Sequence, residues 1–386
     1  MKILHCCLAN FYIDNYGYQE NILPKLHKLQ GHEVEIVAST ETYINNKSLG
    51  YVQPKKYVNE NDTLVSRIPY INWLPHILVK KLRIYKGLNK VLHDFKPDII
   101  FLHDCQFLSI HQIVNYAKKN NGTKIYVDGH TDFINSAKNW LSKNILHKII
   151  YKYCAKKIEP YTLKFYGTLP SRVKFFVEVY GIDDRKVELL ELGADDSSFD
   201  FSEEDDIRKK VRRSLGFKKK DFVLVSGGKL DRRKNIHVLM KSMNILGTDR
   251  IKLVIFGSPN TEMEKEMKEL TENKNIIPLG WLSSNKIYDV LFASDLGFFP
   301  GTHSVLWEQC VGVGLPCVFK KWDDIDHVDV GGNCAFLEDI TAESIANKIL
   351  EIYENEELRT EMKKSASEKG VKRFSYSEIA KRAIQQ

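Results

Sequence analysis

Short apolar runs alternate with helix-spaced segments along almost the whole chain, and this constrains the fold more than any other feature. Lys2–Ala9 (KILHCCLA) is the first run. Gln19–Gln30 follows with helical spacing at Ile22, Leu23, Leu26 and Leu29, and His32–Ala38 is strand-like again. Asp98–His103, a helix near Leu108–Lys119 and Lys124–Val127 continue the series. Short continuous strands separated by helices predict an α/β fold with parallel sheets covered on both faces.

The series breaks at the charged stretch Asp195–Lys220 and restarts with Asp221–Ser226 (DFVLVS), Lys252–Gly257, Asn275–Leu279, Leu296–Pro300 and Pro316–Phe319. A chain of 386 residues suits two domains. The expectation is two facing Rossmann-like domains, residues 1–198 and 199–386, with ligands in an interdomain cleft at the carboxyl ends of the strands. Residues 376–386 read as a last helix that packs back on the first domain.

Composition removes several classes. The apolar fraction of 43% supports an ordinary core. No run approaches the ~20 apolar residues that span a bilayer. The opening MKILHCCLANF lacks a small-residue cleavage site and reads as a buried strand, not a signal peptide. Seven cysteines without regular spacing, and no CxxC or Cys/His cluster, predict free thiols in a reducing cytoplasm and no metal site. A net charge of +7 favours an anionic partner, and no recognition motif points to nucleic acid.

Polar residues that interrupt the apolar pattern at strand ends are the candidate site. Ser226-Gly-Gly-Lys-Leu-Asp-Arg-Arg-Lys-Asn235 lies between a strand and the helix 236–246. Gly228 permits a tight turn, and Lys229 and Lys234 flank the helix start as a diphosphate would require. A solvated basic turn is the other reading. The stretch GTHSVLWEQCVGVGLP, 301–316, places His303, Ser304 and Val305 at the start of a helix buried on most sides, with Ser304 as its N-cap and Glu308 and Gln309 inside it. A buried carboxylate needs a partner: a sugar diol, or else a structural bond to backbone or lysine. In the first half, Asp128-Gly-His-Thr-Asp132 ends a strand, so that His130 faces either a ligand or the core, and His103–Asp104 end the preceding one. Gly17 and Glu20 lie between the first strand and its helix, where GxGxxG is absent; this disfavours a nicotinamide dinucleotide.

Two segments mix aromatics, aliphatics and cations. One is 73–90, with Lys80, Lys81, Arg83, Lys86 and Lys90; the other is 140–157, with Lys143, Lys148, Lys152, Lys156 and Lys157. Each suits an anionic membrane surface or an ordinary helix packed on a sheet.

In this order, Gly31-His-Glu-Val34, Leu192-Gly-Ala-Asp195 with Phe199, Gly228-Lys-Leu230 through Lys234-Asn235, and Gly314-Leu-Pro316 resemble the GT-B glycosyltransferases, and among them the large retaining family 4. The resemblance covers nearly the whole chain. It implies a nucleotide-sugar donor, a UDP-sugar favoured, no cofactor and no metal. Lys229 and Lys234 match the basic pair on the donor diphosphate, with Lys where the first is usually Arg. His130 matches the histidine on the donor sugar, and Glu20 the acidic position of the first loop, whose second glycine is replaced here by Tyr18. The family's two glutamates, eight positions apart before Gly-x-Pro, are the departure. Aligning on Gly314-Leu-Pro316 puts Gln309 at the second and Gly301 at the first; a one-residue shift puts Glu308 and Pro300 there.

The implied activity is hexosyl transfer with retention to a saccharide acceptor, lipid-linked, in bacterial capsule or envelope polysaccharide synthesis at the inner face of the plasma membrane. Glu20, His103, Asp104 and Asp132 are the acceptor-side candidates. The rival expectations are an inactive nucleotide-sugar-binding subunit and a nucleotide-sugar epimerase.

Overall fold

The computed structural model describes residues 1–44, 48–132 and 142–385, with the side chains of 142 and 143 left aside. The chain forms two compact units: Met1–Glu191 together with Ile379–Gln386, and Leu192–Glu378. The division thus falls at 191/192, seven residues before the position expected from the charged stretch. Ala194 explains the difference. Its N–H donates to the Phe374 carbonyl at 2.8 Å and its carbonyl accepts from the Tyr376 N–H at 3.0 Å, so these residues belong to the second unit despite their polar neighbours.

In the first unit the strands are β1 (Lys2–Cys7), β2 (Glu33–Ser39), β3 (Glu41–Ile44), β4 (Ser48–Tyr51), β5 (Lys55–Val58), β6 (Leu64–Ile68), β7 (Ile99–His103), β8 (Lys124–Gly129), β9 (Thr162–Gly167) and β10 (Val187–Leu189). Eight of them make one sheet in the order β10-β9-β8-β7-β1-β2-β6-β5. All pairs are parallel except β5 with β6. β3 and β4 form a separate antiparallel pair. Helices α1 (Gln19–Leu29), α2 (His76–Leu82), α3 (Leu88–Phe95), α4 (Ile110–Lys119), α5 (Lys152–Ile158) and α6 (Pro170–Glu178) supply the crossovers. The apolar stripe Leu88, Val91, Leu92 and Phe95 of α3 and Ile110, Ile113, Val114 and Ala117 of α4 enter the main core.

The second unit carries α7 (Glu204–Ser214), β11 (Phe222–Gly227), α8 (Ile236–Ser242), β12 (Ile251–Phe256), α9 (Thr261–Leu270), β13 (Ile276–Gly280), α10 (Ser284–Ala293), β14 (Leu296–Phe299), α11 (Leu306–Gly312), β15 (Cys317–Lys320), β16 (Cys334–Leu337), α12 (Ala342–Glu354), α13 (Glu356–Ser365) and α14 (Val371–Phe374). Its six strands are parallel in the order β13-β12-β11-β14-β15-β16. The strand numbering reverses between β11 and β14, and in the first unit between β1 and β7. At such a switch point the following loops diverge to opposite faces and leave a crevice at the carboxyl edge.

Two local expectations differ. α8 ends at Ser242, four residues short of the predicted Leu246, because the segment turns at 243–245. Ser304 does not cap α11: the N-cap position is Val305, without a side-chain bond, and only the Ser304 carbonyl is used, by the Trp307 N–H at 2.9 Å.

Candidate functional site

In the second unit the loops after β11 and β14 meet at the switch point. Gly228 turns with φ +101°, a left-handed conformation that glycine adopts without strain. Of the four cations that follow, Arg232 is held by Glu262 and Glu266, and Arg233 by Asp231. Lys229 is exposed. Lys234 is half-buried, and its ammonium donates to the carbonyls of Thr302 (2.7 Å) and His303 (2.9 Å). Burial lowers its pKa to about 8. The Asn235 amide donates to the Pro300 carbonyl at 3.0 Å, and the Thr302 N–H to the Arg233 carbonyl at 3.0 Å. The two loops are one laced structure.

Gly301 sits at their closest approach. A Cβ there would lie under 3 Å from the main chain of Lys234. Of the two positions that the alternative registers give to the first glutamate, Gly301 therefore has no room for a side chain, and the other is Pro300.

α11 settles which polar residue points where. Glu308 is fully buried, while Gln309 is partly exposed and bonds Tyr288, whose hydroxyl accepts the Asp195 N–H at 2.7 Å. Adjacent helical positions diverge by about 100°, so the pair cannot share one role. Glu308 Oε1 accepts from two imidazoles, His303 Nε2 and His327 Nε2, each at 2.8 Å. Burial alone would raise this carboxyl; the two histidines overcome that and hold it at about 2. The second oxygen, Oε2, is buried with no partner among the described residues, as is His327 Nδ1.

His327 lies in the loop between β15 and β16 and was not found from the sequence. The one signal was a histidine in the loop seven residues past a strand end, hidden among Asp323, Asp324, Asp326 and Asp329. Donor atoms of His303, Glu308 and His327 lie within 4.8 Å of one another, so these residues could hold a metal ion where the sequence suggested none. His₂Glu is a chemically suitable set for zinc, but a His327 ligand would lack the usual partner on its other nitrogen.

In the first unit, Gly17 lies in the exposed loop before α1, and Glu20 is buried in the first turn of that helix. His130 follows β8 and is one-quarter exposed, with Nε2 3.7 Å from Asp128 Oδ1. Burial opposes its charged form, but Asp128 prevails and raises its pKa; Glu20 acts in the same direction and Arg172 against it. The other acceptor-side candidates are engaged in structure. His103 is fully buried with both ring nitrogens bonded, to His5 and Asp128. Asp104 accepts from the Cys105 N–H and the Thr131 hydroxyl. Asp132 faces Arg172 at 3.4 Å.

The two basic segments adjoin: the Tyr151 hydroxyl donates to the Lys81 carbonyl at 2.8 Å, and Arg83 lies over the Tyr151 ring. Trp73, Ile77, Leu78, Ile149 and Tyr153 are exposed there. Lys80 and Lys90 are taken by Glu41 and Asp94. Residues 140 and 141 and the side chain of Lys143 lie outside the described residues. Among the described residues, no helix is long and apolar enough to cross a membrane.

Residues 207–369 match the sequence profile of glycosyl transferases group 1. No curated protein matches the chain. A glycosyltransferase from Rickettsia africae has the same fold, at 14% identity over 99% of this chain and 96% of that one, with a TM-score of 0.68. Anabaena HepE, solved with UDP and glucose, is 15% identical over 99% and 98%, with a TM-score of 0.63. The UDP-GlcNAc 2-epimerase of Neisseria meningitidis, bound to UDP-GlcNAc, is 14% identical over 100% and 98%, with a TM-score of 0.60.

Proposed function

We propose that this chain, a glycosyltransferase of GT-B fold with a group 1 domain at residues 207–369, takes a nucleotide-sugar donor at the carboxyl edge of its second unit, a UDP-sugar by preference. The observation that carries this is Glu308. A carboxylate held ionised by two imidazoles, with its other oxygen lacking a partner among the described residues, has the chemistry of an acceptor for donor hydroxyls, which the loop of His303 must uncover for a ligand to reach. Lys229 and Lys234, with the Gly228 turn, meet the diphosphate charge. His303, Ser304 and Val305 line the same loop, and Gln309 takes a structural part through Tyr288.

In the reaction the bond from the anomeric carbon to the phosphate oxygen breaks, and one to the acceptor oxygen forms on the same face. The acceptor hydroxyl proton leaves with the nucleoside diphosphate. Charge developing on that leaving group is stabilised by Lys229 and by Lys234, the latter already held in place by the Thr302 and His303 carbonyls. His130 orients the sugar hydroxyls, with Glu20 acting on it electrostatically. The reading needs no metal.

The acceptor is a saccharide, lipid-linked, in capsule or envelope polysaccharide synthesis on the cytoplasmic face of the membrane. The apolar and basic surface around Trp73, Ile77, Ile149 and Tyr153 supports this. The test is turnover of a panel of UDP-, GDP- and ADP-sugars. Consumption that rises with a lipid-linked saccharide supports transfer. Interconversion of the donor without acceptor supports an epimerase, the activity named for the Neisseria protein. Binding without turnover supports an inactive subunit, a reading favoured by the lack of a glutamate in either register: Pro300 in one, and in the other Gly301, which has no room for a side chain.

A further inference from the structure

The first unit contains a continuous line of buried hydrogen-bonding groups that the reaction above does not use. His27 of α1 places Nε2 2.8 Å from the Ala380 carbonyl. Its Nδ1 lies 3.0 Å from His5 Nε2 on β1. His5 Nδ1 lies 3.0 Å from His103 Nε2 on β7, and His103 Nδ1 lies 2.8 Å from Asp128 Oδ2 on β8. The three imidazoles and Asp128 are fully buried. The sheet register sets this line: His103 pairs with Asp128, and His5 with Phe101, two residues away on the same face.

The protons can be counted. A carbonyl only accepts, so His27 donates from Nε2 and its Nδ1 is bare. That nitrogen takes the His5 Nε2–H, and His5 Nδ1 in turn takes the His103 Nε2–H. Three neutral imidazoles are then exhausted after three links, and the fourth, to Asp128, still needs a proton. Without it two lone pairs would face each other at 2.8 Å in a buried site, which costs far more than a hydrogen bond gains.

We infer that His27, His5, His103 and Asp128 form a proton-sharing chain that holds one proton more than neutral imidazoles supply, and that this chain sets the charge presented to His130. The inference rests on the reading of His130 as the residue that orients the donor sugar. Burial keeps His5 well below its ordinary pKa and brings His27 to about 4, so both are neutral at pH 7. The extra proton therefore lies in the His103–Asp128 link. Burial opposes the Asp128 carboxylate, yet His103 and His130 together hold its pKa well below the usual range. Asp128 is thus divided between a proton-rich partner beneath it and His130 beside it. Among the described residues, Glu20, Asp104 and Arg172 also act on His130, Cys7 faces Asp128, and His32 faces His27. His103 and Asp128 are positioning residues. The Ala380 carbonyl fixes the direction of every donor behind them.

The experiment is long-range nitrogen–proton correlation NMR on the full chain labelled with ¹⁵N-histidine, at pH 7 and without ligand. The expected spectrum shows His27 and His5 as neutral Nε2–H tautomers and His103 protonated on both nitrogens. A single N–H on His103 together with an ionised Asp128 carboxyl in the ¹³C spectrum overturns the proton count, and the wild-type protein alone decides it. His103→Gln removes the extra proton and leaves Asp128 uncompensated, so the His130 titration midpoint is expected to rise by about one unit. An unchanged midpoint overturns the charge-setting role. His27→Gln keeps one donor and one acceptor, and its His130 midpoint is expected to match wild type; a shift as large as that of His103→Gln would contradict the assigned polarity. Turnover of the UDP-, GDP- and ADP-sugar panel by wild type and His130→Ala is measured in parallel. Equal turnover of the two, with the NMR results as expected, refutes the reading of His130 and leaves the chain standing.

Discussion

Gly301 passes the main chain of Lys234 so closely that no side chain fits between them. The same contact lets the Lys234 ammonium reach the carbonyls of Thr302 and His303. One glycine thus fixes a cation and excludes an acidic side chain at 301, the place of the family's first glutamate in the register that makes Gln309 the second. Gly301→Glu is expected to destabilise the second unit by about 1–3 kcal/mol, the usual cost of overpacking, and to give no gain in turnover. A denaturant melt and a donor-consumption assay check both parts.

Lys234→Ala is expected to weaken UDP binding at least tenfold at pH 7, measured by calorimetry. The pH dependence has a definite sign. Burial lowers this lysine to about 8 from 10.5, so the free protein loses the ammonium as pH rises through 8. Wild-type affinity for UDP should fall between pH 7 and 9, and the alanine variant should show a flatter profile. Equal slopes would remove Lys234 from the diphosphate site.

Glu308 supplies a second pH signature. Its carboxyl is held at about 2 instead of 4.5. A depressed acid contributes stability above its unfolded pKa, and loses it as pH falls through the folded one. The contribution is on the order of 3 kcal/mol, present above about pH 5 and lost towards pH 2. Unfolding of wild type and Glu308→Gln at stepped pH should show a gap that closes across this window. At pH 7 the variant should also lose donor affinity.

Chelation tests the trio His303, Glu308 and His327. Incubation with EDTA is expected to leave donor turnover unchanged. Activity lost to EDTA and restored by zinc would turn the clamp into a metal site.

Trp73→Ser with Ile77→Ser is expected to reduce co-sedimentation with anionic phosphatidylglycerol vesicles without changing UDP affinity. Retained sedimentation would exclude this face as the membrane contact.

The parallel strands β1, β2, β7, β8 and β11 to β15 were legible because each is a short apolar run with punctuation, and their ends agree with the sequence reading to within one or two residues; β6, β9, β10 and β16 were not read from the sequence. Within the site, Lys229, Lys234, His130 and Glu308 stood out as polar residues where the pattern demanded apolar ones. His327, His5 and His27 did not. A lone histidine in a run such as KILHCC has no local signature of its partner, and the bonds to His5 come from 22 and 98 residues away. The choice between Glu308 and Gln309 also needed the helix phase, because a one-residue shift leaves the sequence pattern intact.

Three carbonyls of residues 379–385 accept from side chains of the first unit: Ala380 from His27, Arg382 from Tyr166 and Ile384 from Tyr126. These residues are made about 190 positions after β10 (379 − 189). At translation rates of 5–20 residues per second, that is roughly 10–40 s. During biosynthesis the first unit therefore waits, with two tyrosines and a histidine unsatisfied, until the second has been synthesised.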